Sequence, residues 1–168
     1  MPVRPATVST VAVYGPGLKI NPVPTATSRT AETDRDLLRV FPGLRELRPQ
    51  LTPEHFIATI RRLQGEGYVL VLLEAGGEVA AIAGYRFSES LARGRFLYVD
   101  DLVTCSTARR AGHGKKLFAW LVALAEASGC QELHLDSGIQ RTGAHIFYEK
   151  QKMVFSSRHY SRKLKAPC

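Results

Sequence analysis

Between residues 68 and 106 the chain offers three strand-length runs with little between them. "YVLVLLEA" is followed by the turn "GGE", "VAAIAGYRF" by the polar "SESLARG", and "RFLYVDDLVTCS" completes the set. Connections this short join antiparallel neighbours, because a parallel pair needs a crossover of a dozen residues or more. The next segment supplies such a crossover. "KKLFAWLVALAEAS" is apolar nearly all round, which marks a deeply packed helix. Gly129 stops it and "QELHLDS" is another short strand, so a strand–helix–strand unit closes on the same sheet. The fold class read from this order is α+β, or mixed α/β, with one sheet.

The flanking segments add helices. "TATSRTA" at 25–31 is a candidate first strand. "ETDRDLLRVFPGLREL" reads as helical, and Pro42 and Gly43 predict a break in it. "LTPEHFIATIRRLQGEG" is a cleaner helix, with Thr52 at the N-cap, Pro53 at the first turn and an apolar face of Phe56, Ile57, Ile60 and Leu63. "TGAHIFYEKQK" is a short helix, and "MVFSSRHYSRKL" predicts one or two closing strands. Residues 1–24, with five prolines and no helical period, read as a flexible tail, and 25–168 as a single domain.

Composition bounds the class. No apolar run is long enough to span a bilayer, and the N-terminus lacks a signal peptide's apolar core, so a cytoplasmic protein is expected. Cys105, Cys130 and Cys168 form no CxxC pair and no zinc pattern, so free thiols and no metal are expected. The net charge of +8 asks for an anionic partner or reflects a solubilising surface. Residues 138–168 carry seven Lys or Arg against the single acid Glu149. No helix-turn-helix or aromatic–basic platform accompanies that charge, so nucleic acid is not the expected partner.

The charge has a sharper use at residues 108–121, "ARRAGHGKKLFAWL". Here two glycines and several cations stand where a helix starts. A helix N-terminus presents unpaired N–H groups and the positive end of a dipole, which together bind anions. Glycine lets the anion approach the backbone. With Arg109, Arg110, Lys115 and Lys116 beside it, the loop fits a pyrophosphate. "GHGKKL" is not GxxxxGK[ST], which excludes a P-loop. Leu117 stands where GxGxxG needs glycine, and the loop follows antiparallel strands, so a dinucleotide-binding unit is excluded too.

The stretch Arg109-Arg110-Ala111-Gly112-His113-Gly114 instead resembles the central motif of the GCN5-related N-acetyltransferase (GNAT) family. "LYVDDLVTCSTARRAGHGKKL" is similar to the family's strand and loop, and "AHIFYEKQKMVF" to its second motif, with Phe147-Tyr148 in place. The resemblance covers about residues 25–164. It implies the GNAT acyl-CoA N-acyltransferase fold, a mostly antiparallel mixed sheet with helices on both faces. The reaction it implies is acetyl transfer from acetyl-CoA, as cosubstrate, to a primary amine of a small molecule or peptide. The implied roles are specific. Backbone N–H groups of Arg110, Ala111, Gly112, His113, Gly114 and Lys115, next to Arg109, would hold the pyrophosphate. Leu102, Val103 and Thr104 would pair with the pantetheine arm like an added strand, beside a slot opened by a bulge in the fourth strand. Tyr148 would protonate the departing thiolate. A homodimer through the C-terminal strand region is also implied. The chain departs from the family pattern at Ser106, Arg141 and Lys152-Met153. Arg141, counted with Tyr148 among the expected cofactor-binding residues, replaces an asparagine and can itself reach a phosphate or carboxylate.

Asp100 and Asp101 are the candidates for amine recognition or base work, because an ammonium must lose its proton before it attacks. Adjacent strand residues point to opposite faces, which predicts that at most one of them meets the substrate. Asp100 shares a face with Tyr98 and Leu102 if no bulge intervenes. His113 is expected to be exposed and His145 is a possible proton shuttle. Acceptor loops are expected at about 43–53 and 88–95. A competing reading keeps the fold and the CoA but makes the domain a non-catalytic sensor or interaction module.

Overall fold

The computed structural model describes residues 27–164; the tail read at 1–24 lies outside them. Five strands form one sheet: β1 (Thr27–Thr30), β2 (Val69–Ala75), β3 (Glu78–Ser90), β4 (Gly94–Thr104) and β5 (Glu132–Leu135). Their spatial order is β1-β2-β3-β4-β5. Every pair is antiparallel except β4–β5, which is parallel. The helices are α1 (Asp34–Leu47), α2 (Pro53–Gly65), α3 (His113–Ala127) and α4 (Thr142–Lys150). The mixed sheet follows from the loops: the Gly76-Gly77 turn, both residues at positive φ, makes the β2–β3 hairpin, and α3 makes the parallel crossover.

The sheet is covered on both faces, which explains the unbroken apolar run of β2. Leu70 and Leu72 pack with Leu37, Val40, Leu44, Phe56 and Ile60 of α1 and α2. Val71 and Leu73 pack on the other face with Leu117, Leu121 and Ala125 of α3.

Two expectations from the sequence fail here. The first helix does not break at Pro42; α1 runs through it. Proline removes the bond that the Leu38 carbonyl would accept, and Leu38 lies on the exposed side, where water can replace it. Gly43 is buried, and a Cβ there would sit 2.6 Å from Ile82 Cδ1 and 2.7 Å from Cys105 Sγ. The Pro-Gly pair thus lets a continuous helix approach the sheet closely. The second failure is at the C-terminus. "MVFSSRHYSRKL" forms no strand, and Val154, Phe155, Tyr160 and Leu164 are exposed. β5 therefore has a free edge among the described residues.

The expected acceptor loops are also shorter than read. Residues 43–47 belong to α1, and 88–90 and 94–95 to strands, which leaves 48–52 and 91–93 as connections.

Candidate active site

The parallel β4–β5 ladder runs only from Phe96↔Glu132 to Val99↔Leu135, while β4 continues to Thr104. Beyond Val99 the β5 side of β4 is open, and Leu102, Val103 and Thr104 lie along this slot. The cause is local. Pairing with β3 jumps from Tyr85↔Val99 to Gly84↔Asp101, so β4 carries an extra residue at Asp100. A bulge of this kind bends the strand away from its neighbour.

The bulge also reverses the side-chain alternation. Val99 and Leu102 pack on the α3 side, and Val103 on the α1–α2 side. Asp100 therefore does not share a face with both Tyr98 and Leu102. The two acids are not split between faces either. Asp101 accepts from Tyr68 Oη (2.9 Å) and Arg48 Nε (2.8 Å), and Asp100 accepts from Arg86 Nε (2.9 Å). Arg86 in turn lies over the Tyr68 ring, 5.7 Å from its centroid. Burial and the nearby Asp101 carboxylate push the Tyr68 phenol well above its ordinary value, so it remains a donor. Space for this ring comes from Gly84, where a Cβ would stand 1.8 Å from Tyr68 Oη.

The opening beside β4 holds two adjoining cavities. The larger, about 800 Å³, runs from the start of α3 to Tyr148. It is lined by Leu102, Val103, Thr104, Arg109, Arg110, Gly112, His113, Gly114, Lys115, Arg141 and Tyr148, so most of the residues singled out for the cofactor come together in one groove. Ala111 does not line it. The smaller cavity, about 100 Å³, is bordered by Asp100, Arg48, Asp136, Ser137, Arg141 and Tyr148 among others. Asp101 lines neither cavity, because the bulge turns it into the Tyr68–Arg48 network. Leu47, Leu102, Arg141, Ala144 and Tyr148 border both spaces and mark their junction.

One end of the groove has the physical features that attract anions. Gly112 caps α3 at φ 79°, and Arg110 also takes positive φ, 66°. The backbone N–H groups of residues 110–115 make no hydrogen bond among the described residues. Gly114 has a separate reason: a Cβ there would lie 2.8 Å from Thr104 Oγ1. One glycine thus permits the turn, and the other seats the loop against the end of β4. Arg109 is tied up, since it donates to Glu46 at 3.0 Å while Glu46 also accepts from Ser106 N and Oγ. That pins the loop to α1 and leaves Arg110, Lys115 and Arg141 as the groove's cations without a carboxylate partner among the described residues. His113 is half-buried rather than exposed, and its shielded Nδ1 has no partner among those residues. His145 lies against the Gly138 carbonyl at 3.0 Å, away from Tyr148 in its contacts.

Tyr148 packs against Phe118 and Phe147. Burial pushes its phenol up, with Arg141 pulling weakly the other way, so it is a neutral donor at neutral pH. Sequence reasoning missed Arg48, Tyr68 and Arg86. A usable signal was present in Gly84, because a glycine inside a strand marks a close approach.

Comparison with known proteins agrees with this architecture. Residues 32–153 match the Acetyltransferase (GNAT) family, and the chain belongs to that family. It is 33% identical over 121 residues to the uncharacterized N-acetyltransferase YhdJ of Bacillus subtilis, covering 71% of this chain and 84% of that protein. A transcriptional regulator from Bacillus halodurans superposes with a TM-score of 0.74 at 22% identity, covering 83% of this chain and 99% of that one. AAC(6')-Iy, in complex with the bisubstrate analogue CoA-S-monomethyl-acetylneamine, gives 0.70 at 15% identity, with 84% and 99% covered. These two share the fold. No helix among the described residues is long and apolar enough to cross a membrane.

Proposed function

We propose that this chain is an N-acetyltransferase that carries an acetyl group from acetyl-CoA to a primary amine of a small molecule or peptide, by direct attack within a ternary complex. The observation that carries this reading is the junction of the two cavities, where the protonated Tyr148 borders both the long groove and the small space beside Asp100. Acetyl-CoA supplies an activated acetyl group as a thioester. The free N–H groups of residues 110–115, with Arg110 and Lys115, suit its pyrophosphate. The open side of β4 at Leu102–Thr104 suits the amide-bearing pantetheine arm. Holding both reactants at one junction removes much of the entropic cost of their meeting.

The chemistry then divides between two side chains. A neutral amine attacks the acetyl carbon, the C–N bond forms, and the C–S bond breaks. The departing sulfur takes the Tyr148 proton. The surplus proton on nitrogen passes to solvent by way of Asp100, which also attracts the incoming ammonium. In this reading the basic surface serves an anionic cosubstrate rather than nucleic acid or a membrane, and the enzyme acts in the cytoplasm.

Two measurements test this. Release of CoA is followed with a panel of amines, amino acids, aminoglycosides and peptides; a chain that binds CoA but releases none would be the sensor of the competing reading. Gly112→Asp puts a carboxylate, on a residue of positive φ, where the pyrophosphate should approach. CoA affinity is expected to fall at least tenfold, about 1.4 kcal/mol, with the fold retained. Unchanged affinity by calorimetry removes the pyrophosphate site.

We also propose a homodimer. The free edge of β5 and the exposed Val154, Phe155, Tyr160 and Leu164 both call for cover. A monomer mass by light scattering at micromolar concentration ends that proposal.

A further inference from the structure

The acetyl-transfer reading leaves the acceptor's chemistry open, and the charges around the small cavity narrow it. Four charged side chains border that cavity: Arg48, Arg141, Asp100 and Asp136. Three are largely spoken for. Arg48 donates to the Asp101 carboxylate and to the Asp100 carbonyl. Asp136 accepts from Tyr98 Oη at 2.6 Å and faces His159 Nδ1 at 3.0 Å. Asp100 accepts from Arg86 Nε at its Oδ2, but its Oδ1, like that of Asp136, accepts nothing among the described residues. Arg141 reaches only a backbone carbonyl, that of Leu47, at 3.3 Å, and has no carboxylate partner among those residues. Ser137, on the same wall, has a shielded hydroxyl with no partner among the described residues. The cavity thus offers two carboxylates that each keep a free Oδ1 among the described residues, Asp100 and Asp136, and one guanidinium without a carboxylate partner.

The cosubstrate does not explain the guanidinium. Arg141 stands at the junction with Tyr148, Leu102 and Ala144, where the acetyl-transfer reading puts the thioester, and a thioester is uncharged. The anionic part of CoA belongs at the other end of the groove, which has Arg110, Lys115 and the α3 N-terminus. A purely cationic acceptor would meet Asp100 and be repelled by Arg141. An acceptor with a second, anionic group satisfies both.

We propose that the acceptor is a small amine that also carries an anionic oxygen group, a carboxylate or a phosphate, with its ammonium end toward Asp100 and its anion on Arg141. Arg141 is then a specificity residue for acetyl transfer. The inference rests on the acetyl-transfer reading, and the experiment keeps the two apart.

Acetylation rates are measured for two matched pairs: L-alanine with L-alaninamide, and glucosamine 6-phosphate with glucosamine. Wild type is compared with Arg141→Gln and Arg141→Lys, with acetyl-CoA affinity and thermal melting followed in parallel. Comparing the ratio within each pair across proteins cancels the different basicities of the amines. The wild type is expected to prefer the anionic member of at least one pair, and which pair responds separates carboxylate from phosphate. Arg141→Gln is expected to shrink that preference about tenfold through KM, the scale of one charge-assisted hydrogen bond partly open to water. Arg141→Lys restores part of it, and acetyl-CoA affinity is unchanged.

Three results overturn the inference while leaving acetyl transfer in place. One is a wild-type preference for the neutral members or for polyamines. Another is an equal fall in kcat for both members of each pair, which would make Arg141 a stabiliser of charge on the reacting carbonyl. The third is weaker acetyl-CoA binding with an unaltered preference, which would give Arg141 to the cosubstrate. No CoA release with any amine, charged or neutral, sinks the acetyl-transfer reading and the inference with it.

Discussion

Replacing Tyr148 with phenylalanine is expected to lower kcat by about 10²–10⁴-fold and to leave KM for acetyl-CoA near its wild-type value. The substitution removes one hydroxyl and keeps the ring that packs against Phe118 and Phe147, so the fold should survive. A thiolate whose conjugate thiol has a pKa well above 7 leaves better when a donor protonates it as the C–S bond breaks. Tyr148 suits that task because burial favours its neutral form. The direction of that shift also sets a pH signature. A phenol held above its ordinary value keeps its proton into more alkaline solution, so the loss of kcat through this group should fall at a higher pH than an unperturbed phenol would give. That limb should be absent in Tyr148→Phe. A variant with full activity would reduce Tyr148 to a packing residue, and a normal pH limb in the variant would assign it to another group.

The elements that position this site were legible because local pattern and tertiary setting agree in them. β2, β3 and β4 have strand-length runs and short turns, and α3 follows a glycine loop that cannot continue a strand. The glycine loop before α3 was legible for the same reason, since a glycine at positive φ followed by an apolar run marks a helix start. Other features depend on contacts between distant residues, which a linear reading cannot supply. The Pro42-Gly43 pair looks like a helix break, yet its meaning lies in the closeness of Ile82 and Cys105. The segment after Met153 has strand composition, but composition does not decide pairing, and the described residues of that segment stay off the free edge of β5. The bulge at Asp100 was the largest loss. Strand alternation assigns faces correctly only while register is kept, and one extra residue moves every later side chain across the sheet. Gly84 and Tyr68, far apart in sequence, hold that irregularity in place.

The bulge also separates the two acids into different tasks, and this yields the second large effect. Asp101 is the more buried, with 15% of its side chain exposed against 28% for Asp100, and it joins Tyr68 and Arg48 beneath the strand. Asparagine in its place keeps one acceptor oxygen but turns an N–H group toward either the Tyr68 hydroxyl or the Arg48 guanidinium. It also leaves Arg48 without its counter-charge. Both losses fall on the segment that opens the slot beside β4. Asp101→Asn is therefore expected to cost about 2 kcal/mol, less than a fully buried pair because Arg48 is partly in solvent. For a domain of this size that lowers Tm by roughly 4–8 °C. Activity should fall as well, since residues 102–104 lose their support. Asp100→Asn should show the opposite balance. Its partner Arg86 is partly exposed and stays over the Tyr68 ring, so melting should hardly change. KM for the amine should rise, kcat should fall, or both, with acetyl-CoA affinity intact, because Asp100 alone of the two borders the acceptor cavity. Thermal melts and steady-state kinetics on both variants decide the assignment. A stable Asp101→Asn enzyme with impaired amine kinetics would return Asp101 to the chemistry. Kinetic silence in both would send the amine's proton to solvent by a route that uses neither carboxylate.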